Sequence, residues 1–371
     1  MASMSGRTIR IPWSKPVFWG NEKKYVNEAV ESTWISGGSF IERFEAEFTA
    51  LHGMSYGITV SNGTTALQLA LMSLGIGPGD EVIVPGFTFV APVNMVIGLG
   101  ATPVYADIDV RTWSIDPVSV ERCITDRTKV ILAVHIYGNV CDMGPLKKLA
   151  TDRGLFLIED NAESMFSRYK GQYSGTFGDA GCFSFQATKT IAMGEGGFVL
   201  FSRKDTYDCA RTIRDHGMRP GKRYWHDVVG YNFRLTNLQA ALGYAQLERT
   251  QDIISNRRRV FDLYRKNLTG MPGVTLQHFP SDVDPVVWAV AAKIDPEFFK
   301  VDRDGFLQAM LEAGVEMRPG FYPMGHMPLY QTTALPVSTE VGLNVLIFPS
   351  FPSLTEEKID YIVRQFRKIL K

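Results

Sequence analysis

Apolar residues recur along this chain at two periods, and the switching between them sketches the architecture. Short runs such as ITV at 58–60 and EVIVP at 81–85 read as buried strands. Between Phe40 and Leu51 the apolar positions Ile41, Phe44, Phe48 and Leu51 fall at helical spacing, with charges between them. In chain order the pattern predicts an extended Pro-, Gly- and Trp-rich arm at 7–20, a helix over 21–32, and a TWISGG turn anchored by Trp34. After the 40–51 helix come a strand at 58–60, a glycine-containing turn at 61–64 and a helix over 65–74. Strand-like and helical stretches then alternate: EVIVP, ATPVYADI, a helix near 116–123, KVILAVHIYG, a helix near 144–153, and LFLIED. CFSF and GFVLFS add two more strands, followed by a helix over 204–215.

That βαβ rhythm predicts an α/β fold with a mostly parallel sheet sandwiched by helices. One long helix is expected from Asn237 to Leu263, bridging into a second unit. Beyond it the pattern gives strands near 273–278 and 288–294 and helices near 303–313 and 355–370. The chain is therefore expected to divide into an arm plus large domain, 1–250, and a smaller C-terminal α/β domain, 251–371. The MASM start is set aside from this reasoning.

Composition narrows the function classes. The 371 residues are 45% hydrophobic and 21% charged, as in ordinary globular proteins. Thirty-nine basic residues cancel 39 acidic ones, which argues against nucleic acid or an anionic membrane as main partner. No apolar run reaches the length of a membrane span, and no signal-peptide core opens the chain. Cys123, Cys141, Cys182 and Cys209 are scattered without metal-ligand or redox spacing, so no metal is expected and a reduced, cytoplasmic enzyme is the simplest fit.

Candidate chemistry centres on GCFSFQATKTIAMGEGG, 181–197, where Lys189 lies between a buried strand and a glycine-rich turn. Poor solvation penalises an ammonium, and a neutral amine is a nucleophile suited to a Schiff base. A lone lysine more often snorkels past a strand to water. Ser61-Asn62-Gly63-Thr64 before a helix offers backbone N–H groups and a helix dipole to an anion, although a plain helix cap uses the same residues. Asp160 closes LFLIED at a strand end, where α/β sheets gather ligands, although capping the next segment is the commoner role for Asp after a strand. Phe89 supplies an aromatic face. Together an amine, an anion site, a carboxylate and an aromatic face are what pyridoxal 5′-phosphate (PLP) requires. Arg219, Lys222, Arg223 and Arg234 concentrate positive charge in 216–237 and suit an anionic ligand.

The ordered motifs TWIS, SNGTTALQLAL, GDEVIVP, GATPVYADID, VHIYG, IEDNAES, GTFGD, FSFQATKTIAMGEGG and GYNFRLTNLQAALGYAQLE resemble those of the DegT/DnrJ/StrS sugar aminotransferases, within fold type I of the PLP enzymes. The resemblance runs from about Pro16 to the C-terminus. It implies that Lys189 holds the cofactor and shuttles a proton, that Asp160 pairs with the pyridine nitrogen, and that Glu163 lies near the ring hydroxyl. Phe89 would stack on the ring. Gly63, Thr64 and Ser184 would bind the phosphate, joined by Asn232 from the other subunit of a homodimer with shared sites. Many relatives carry His where this chain has Gln186, which leaves that position's role open. Arg219 and Arg318 are the candidates for the substrate's pyrophosphate. RYWHDVVGYNFRLTN, RPGFYPMGHMPLY and FPSFPSLTE most resemble the branch that acts on a GDP-linked sugar. The implied reaction moves nitrogen from L-glutamate to C4 of GDP-4-keto-6-deoxy-D-mannose. A dTDP- or UDP-linked 4-keto-6-deoxyhexose is the nearest alternative. A sugar 3-dehydratase is disfavoured, since that branch carries His at the lysine's position, and a non-catalytic PLP-binding regulator is disfavoured by the intact residue set.

Overall fold

The computed structural model describes residues 10–330 and 332–371; the MASM start and the arm's first residues, 7–9, lie outside the described residues. Two helices, α1 (Glu22–Glu31) and α2 (Ser39–Leu51), open the chain. An alternating series follows: β1 (Tyr56–Val60), α3 (Gly63–Ser73), β2 (Glu81–Pro85), α4 (Ala91–Gly98), β3 (Thr102–Ala106), α5 (Pro117–Cys123), β4 (Thr128–Val134), α6 (Met143–Arg153) and β5 (Phe156–Asp160). The short hairpin β6 (Arg168–Tyr169) and β7 (Gln172–Tyr173) precedes β8 (Ala180–Ser184), β9 (Gly197–Phe201) and α7 (Lys204–Arg214). Then come α8 (Asn237–Leu247), α9 (Thr250–Leu268), β10 (Val274–Leu276), β11 (Val283–Asp284) and β12 (Ala291–Ile294). The chain finishes with α10 (Arg303–Glu312), β13 (Arg318–Pro319), α11 (Pro336–Asn344), β14 (Val345–Ile347) and α12 (Glu356–Arg367).

A seven-stranded sheet in the order β1-β9-β8-β5-β4-β2-β3 forms the centre, and only β9 runs against the others. Its strands are apolar on both faces because helices cover both, as a mostly parallel sheet requires. Against one face lies an aromatic cluster in which Phe44 and Phe48 of α2 meet Phe183, Phe185 and Phe198. These rings bracket Ser184 and fix the end of β8. A second, four-stranded sheet, β10-β12-β14-β13, is antiparallel throughout and packs with α9, α10 and α12 around its own core.

The two sheet units are joined by buried contacts. Phe87 and Tyr137, in the loops just past β2 and β4, share an apolar cluster with Trp288, Val341 and Ile347. Asp107, just past β3, accepts hydrogen bonds from the backbone N–H groups of Val337 and Ser338 at the start of α11. The N-terminal arm also crosses over: Ile11 bridges Val315 and joins the core of the second unit.

The structure corrects the single long helix expected over 237–263. It breaks at Glu248–Arg249 into α8 and α9. The break has a packing reason. α8 is buried against α1 and α2, whereas α9 turns its apolar face to α12 and the second sheet. One straight helix could not serve both surfaces. α4 and α11, apolar and short, were not anticipated.

His52, at the C-terminal cap of α2, sits in the aromatic cluster against Phe48, Phe166 and Phe183. Its Nδ1 bonds the Phe48 carbonyl at 2.8 Å. Burial pushes the imidazole down to about 4 from its ordinary 6.5, so the folded chain excludes a proton that the unfolded chain takes up. The stability this supplies is complete above pH 6.5 and is lost as pH falls from 6.5 towards 4. Between pH 7 and pH 5 the wild-type chain should therefore lose about 2 kcal/mol more stability than His52→Leu. Urea titrations of both proteins at the two pH values measure this, and parallel pH slopes would contradict it.

Candidate active site

The carboxyl ends of β1, β4, β5 and β8 open onto a cavity of about 700 Å³. Its lining brings together Gly63, Thr64, Phe89, Asp160, Glu163, Ser184 and Lys189, seven of the residues singled out in the sequence.

The anion-facing wall is the first turn of α3. Asn62 caps this helix: its Oδ1 accepts the Thr65 N–H at 2.9 Å, and Thr65 Oγ1 accepts the Asn62 N–H at 3.1 Å. A helix leaves its first N–H groups without intrahelical acceptors, so those of Gly63 and Thr64 remain for a ligand. A Cβ at Gly63 would stand 2.7 Å from Ser184 Cβ, and only glycine lets α3 approach β8 this closely. The cap and the anion site, alternatives in the sequence, use different N–H groups of one turn.

Lys189 rides on the loop between β8 and β9. Its N–H closes a turn onto the Gln186 carbonyl at 2.8 Å. The Gln186 side-chain oxygen accepts both the Thr188 N–H, at 2.9 Å, and the Thr188 hydroxyl, at 2.7 Å. Gln186 therefore stiffens the turn that presents the lysine, a role the sequence left open. At the other end of the loop Gly194 adopts a φ of +85°, the glycine turn expected from GEGG.

The Lys189 ammonium lies 3.5 Å from Glu163 Oε1 and 3.8 Å from the centroid of the Trp288 ring. Glu163 Oε2 accepts the Tyr137 N–H at 3.0 Å, and Asp160 Oδ1 accepts the Ala162 N–H at 3.0 Å. Burial pushes both carboxyls above their usual range, while the Lys189 charge pulls each part of the way back. Behind the cavity Glu159 accepts N–H groups from Gly175, Phe177 and Gly178 and contacts His135 Nε2 at 3.1 Å. This buried network anchors the end of β5 from the face opposite Asp160.

Beyond the first cavity lies a second, of about 820 Å³, that shares Trp13, Phe89, Gln186, Thr188, Trp288 and Phe321 with it. Arg318 lines this outer space, paired with Glu316 at 2.6 Å and 5.6 Å from the Trp13 ring centroid. The Thr88 hydroxyl and the Trp13 indole N–H are both buried without a hydrogen-bond partner, and both residues line the outer cavity. Phe89 stands at the junction, its ring 5.7 Å from Phe321 and more than half exposed.

Two expected residues are not brought in. Asn232 is exposed and its backbone bridges Asp215; Arg219 is exposed and forked onto Asp227 at 2.6 and 2.7 Å. Neither lines the inner or the outer cavity. Conversely, sequence reasoning missed Trp13, Trp288 and Phe321. The first was visible only as part of a Trp-rich arm, and the second only as the start of a strand-like run 99 residues beyond Lys189.

Comparison with known proteins gives this geometry a context. The model of the DegT/DnrJ/EryC1/StrS aminotransferase family matches residues 19–367. The chain is 43% identical over 355 residues to the GDP-perosamine synthase of Escherichia coli O157:H7, covering 95% of this chain and 96% of that one. It is 42% identical over 357 residues to the GDP-perosamine synthase of Vibrio cholerae, covering 95% and 97%. Among solved structures, Spr1654 from Streptococcus pneumoniae in its PLP form superposes with a TM-score of 0.91 at 26% identity, covering 97% of this chain and 98% of that one. The expected fold type I architecture is borne out by that superposition and by the mostly parallel sheet. Matched over nearly its full length in sequence and in architecture, the chain belongs to the DegT/DnrJ/EryC1/StrS aminotransferase family.

Proposed function

We propose that this chain is a PLP-dependent aminotransferase that moves the amino group of L-glutamate to C4 of GDP-4-keto-6-deoxy-D-mannose, giving GDP-perosamine and 2-oxoglutarate. The observation that carries the chemistry is one cavity holding an amine, two buried carboxylates and a helix N-terminus. The choice of nucleotide and sugar rests on the likeness to GDP-perosamine synthases over nearly the full chain.

The residues present fit the cofactor. The Gly63–Ser184 approach forms a cradle that any side chain at 63 would fill, and the free N–H groups of Gly63 and Thr64 suit a phosphate. When bound, PLP supplies an aldehyde for amines and a protonated ring that takes up electron density. Lys189 would hold that aldehyde and, once released, would move the proton at the amino acid Cα and at the sugar C4. Asp160 would hold the proton on the ring nitrogen, and Glu163 would be the carboxylate nearer the ring hydroxyl. Phe89, which lines the cavity, would cover one face of the ring. Arg318 meets the negative charge of the sugar nucleotide in the outer cavity. Arg219 has the same role only if it reaches a second subunit. On this reading the residues that would hold the cofactor belong to 1–250, and much of the outer wall belongs to 251–371.

We also infer that the protein works as a homodimer in which Asn232 of one subunit completes the phosphate site of the other. Asn232 stands clear of its own cavity, on a stretch that exposes Tyr224, Trp225 and Val229. Among the described residues no helix is long and apolar enough to cross a membrane. A cytoplasmic step supplying an amino sugar for O-antigen, and so for lipopolysaccharide biosynthesis, is the setting we propose.

A coupled assay of glutamate against GDP-, dTDP- and UDP-linked 4-keto-6-deoxy sugars tests the activity. The GDP-mannose derivative should give the highest kcat/KM, and Lys189→Ala should lose at least roughly 10²–10⁴-fold in rate. Faster turnover of a dTDP or UDP sugar would reassign the substrate.

Asp160→Asn should keep the fold and lower kcat by about 10²–10³-fold, since an amide does not hold the ring nitrogen protonated. Circular dichroism beside steady-state kinetics reads both quantities. Near-normal turnover would mean that another group partners the nitrogen.

Mixing Asn232→Ala subunits with Lys189→Ala subunits, each first shown to be inactive alone, tests the shared site. The heterodimer should regain one intact site and a substantial fraction of wild-type activity. Absence of recovery after proven subunit exchange would put Asn232 in its own subunit's site.

A further inference from the structure

Arg257 on α9 is buried, and among the described residues no carboxylate lies within ion-pair distance of it. Its Nε has no partner at all, and burial pulls the guanidinium down to about 10. A buried cation without an anion is destabilising, so its position calls for a reason. Its two remaining nitrogens supply one: Nη1 donates to the Trp288 carbonyl at 2.9 Å and Nη2 to the Lys189 carbonyl at 3.3 Å. Trp288 closes the ring of contacts. Its indole N–H donates to the Thr188 carbonyl at 2.8 Å, and its aromatic face meets the Lys189 ammonium at 3.8 Å.

We propose that Trp288 and Arg257 are positioning residues that hold Lys189, backbone and amine together, at the cavity floor. The inference rests on the reading of Lys189 as the reactive amine. A lysine has a flexible four-carbon stem, and an amine released during turnover must stay within reach of the carbon whose proton it moves. While the amine is free of cofactor, the indole face gives the ammonium a place opposite Glu163, so the charge is held from two sides. Arg257 fixes the carbonyls of 189 and 288 to one guanidinium, which keeps the ring and the amine in register.

The test reads the amine directly. Full-length protein stripped of cofactor is treated with trinitrobenzenesulfonate, and labelling at Lys189 is followed by peptide mass, with exposed lysines of the same chain as reference. Trp288→Leu should label Lys189 about tenfold faster than wild type, the change expected from losing a desolvated cation–π contact. Trp288→Phe keeps an aromatic face and should stay within about threefold. Arg257→Met should also speed labelling and, in the holoenzyme, lower kcat while leaving KM for both substrates within about twofold. Should Arg257→Met fail to fold, Arg257→Lys, which cannot span two carbonyls with a planar fork, gives the same readout. Unchanged labelling in the Leu and Met variants, or equal labelling in the Phe and Leu variants, overturns the clamp. Failure of every variant and the wild type to transfer amine would overturn the functional reading instead, because the labelling does not depend on turnover.

Discussion

Two buried carboxylates facing one ammonium set the terms for the rest of this site. Asp160 and Glu163 lie at the end of β5, where burial disfavours their ionised forms, and the Lys189 charge offsets only part of that cost. Glu163 takes the amine directly, whereas the Asp160 side chain accepts a single backbone N–H, that of Ala162. Asp160 is therefore left facing the cavity with capacity for a further cation or donor. A ligand that brings a protonated nitrogen to Asp160 and a phosphate to the start of α3 completes the electrostatics at both ends. PLP, with opposite charges at its two ends, has that character.

This arrangement depends on a strand end that cannot move. Successive residues of β5 point to opposite faces, so the pair Glu159–Asp160 is divided between two tasks. Glu159 turns away from the cavity, where three backbone N–H groups of the 175–178 loop and His135 hold it. Asp160 turns toward the cavity. The backbone N–H of His135 donates to the Asp160 carbonyl at 3.1 Å, which ties β4 to β5 at the same level. On the neighbouring strand, Phe183 and Phe185 fasten β8 to α2 and leave Ser184 between them on the cavity side. The precision of the site thus comes from groups that never touch a ligand.

Local features were legible in the sequence and long-range ones were not. The SNGT turn, the strand ending in Asp160 and the glycine turn after Lys189 each carry their signal within a few residues. The alternation of strands and helices was enough to bring them to one edge of a sheet. Trp288 and Arg257 carry no such local signal, because what defines them is contact with Lys189 across 99 and 68 residues of chain. The break at Glu248–Arg249 was hidden for a similar reason. Both halves have helical periodicity, and only their different packing partners divide them. Gln186 was noticed as a departure from relatives, but its hydrogen bonds to Thr188 are a property of the folded turn.

The two joined cavities bear on how one site can serve unlike substrates. Both substrates of the proposed reaction must reach the same amine, so the inner cavity cannot discriminate strongly between them. The outer cavity can. A small amino acid need not fill it, whereas a nucleotide-linked sugar extends past Phe89 and Trp288 into it. There Arg318 is already paired with Glu316, and Glu316 also accepts the Trp13 backbone N–H at 3.2 Å. Arm, arginine and carboxylate therefore form one unit, and a phosphate drawing on Arg318 must compete with Glu316 for it. Buried and unpartnered, the Thr88 hydroxyl and Trp13 N–H leave hydrogen-bonding capacity on the same wall. Under the proposed function, selectivity for the larger substrate would rest on the arm and the second sheet, and the chemistry on the first.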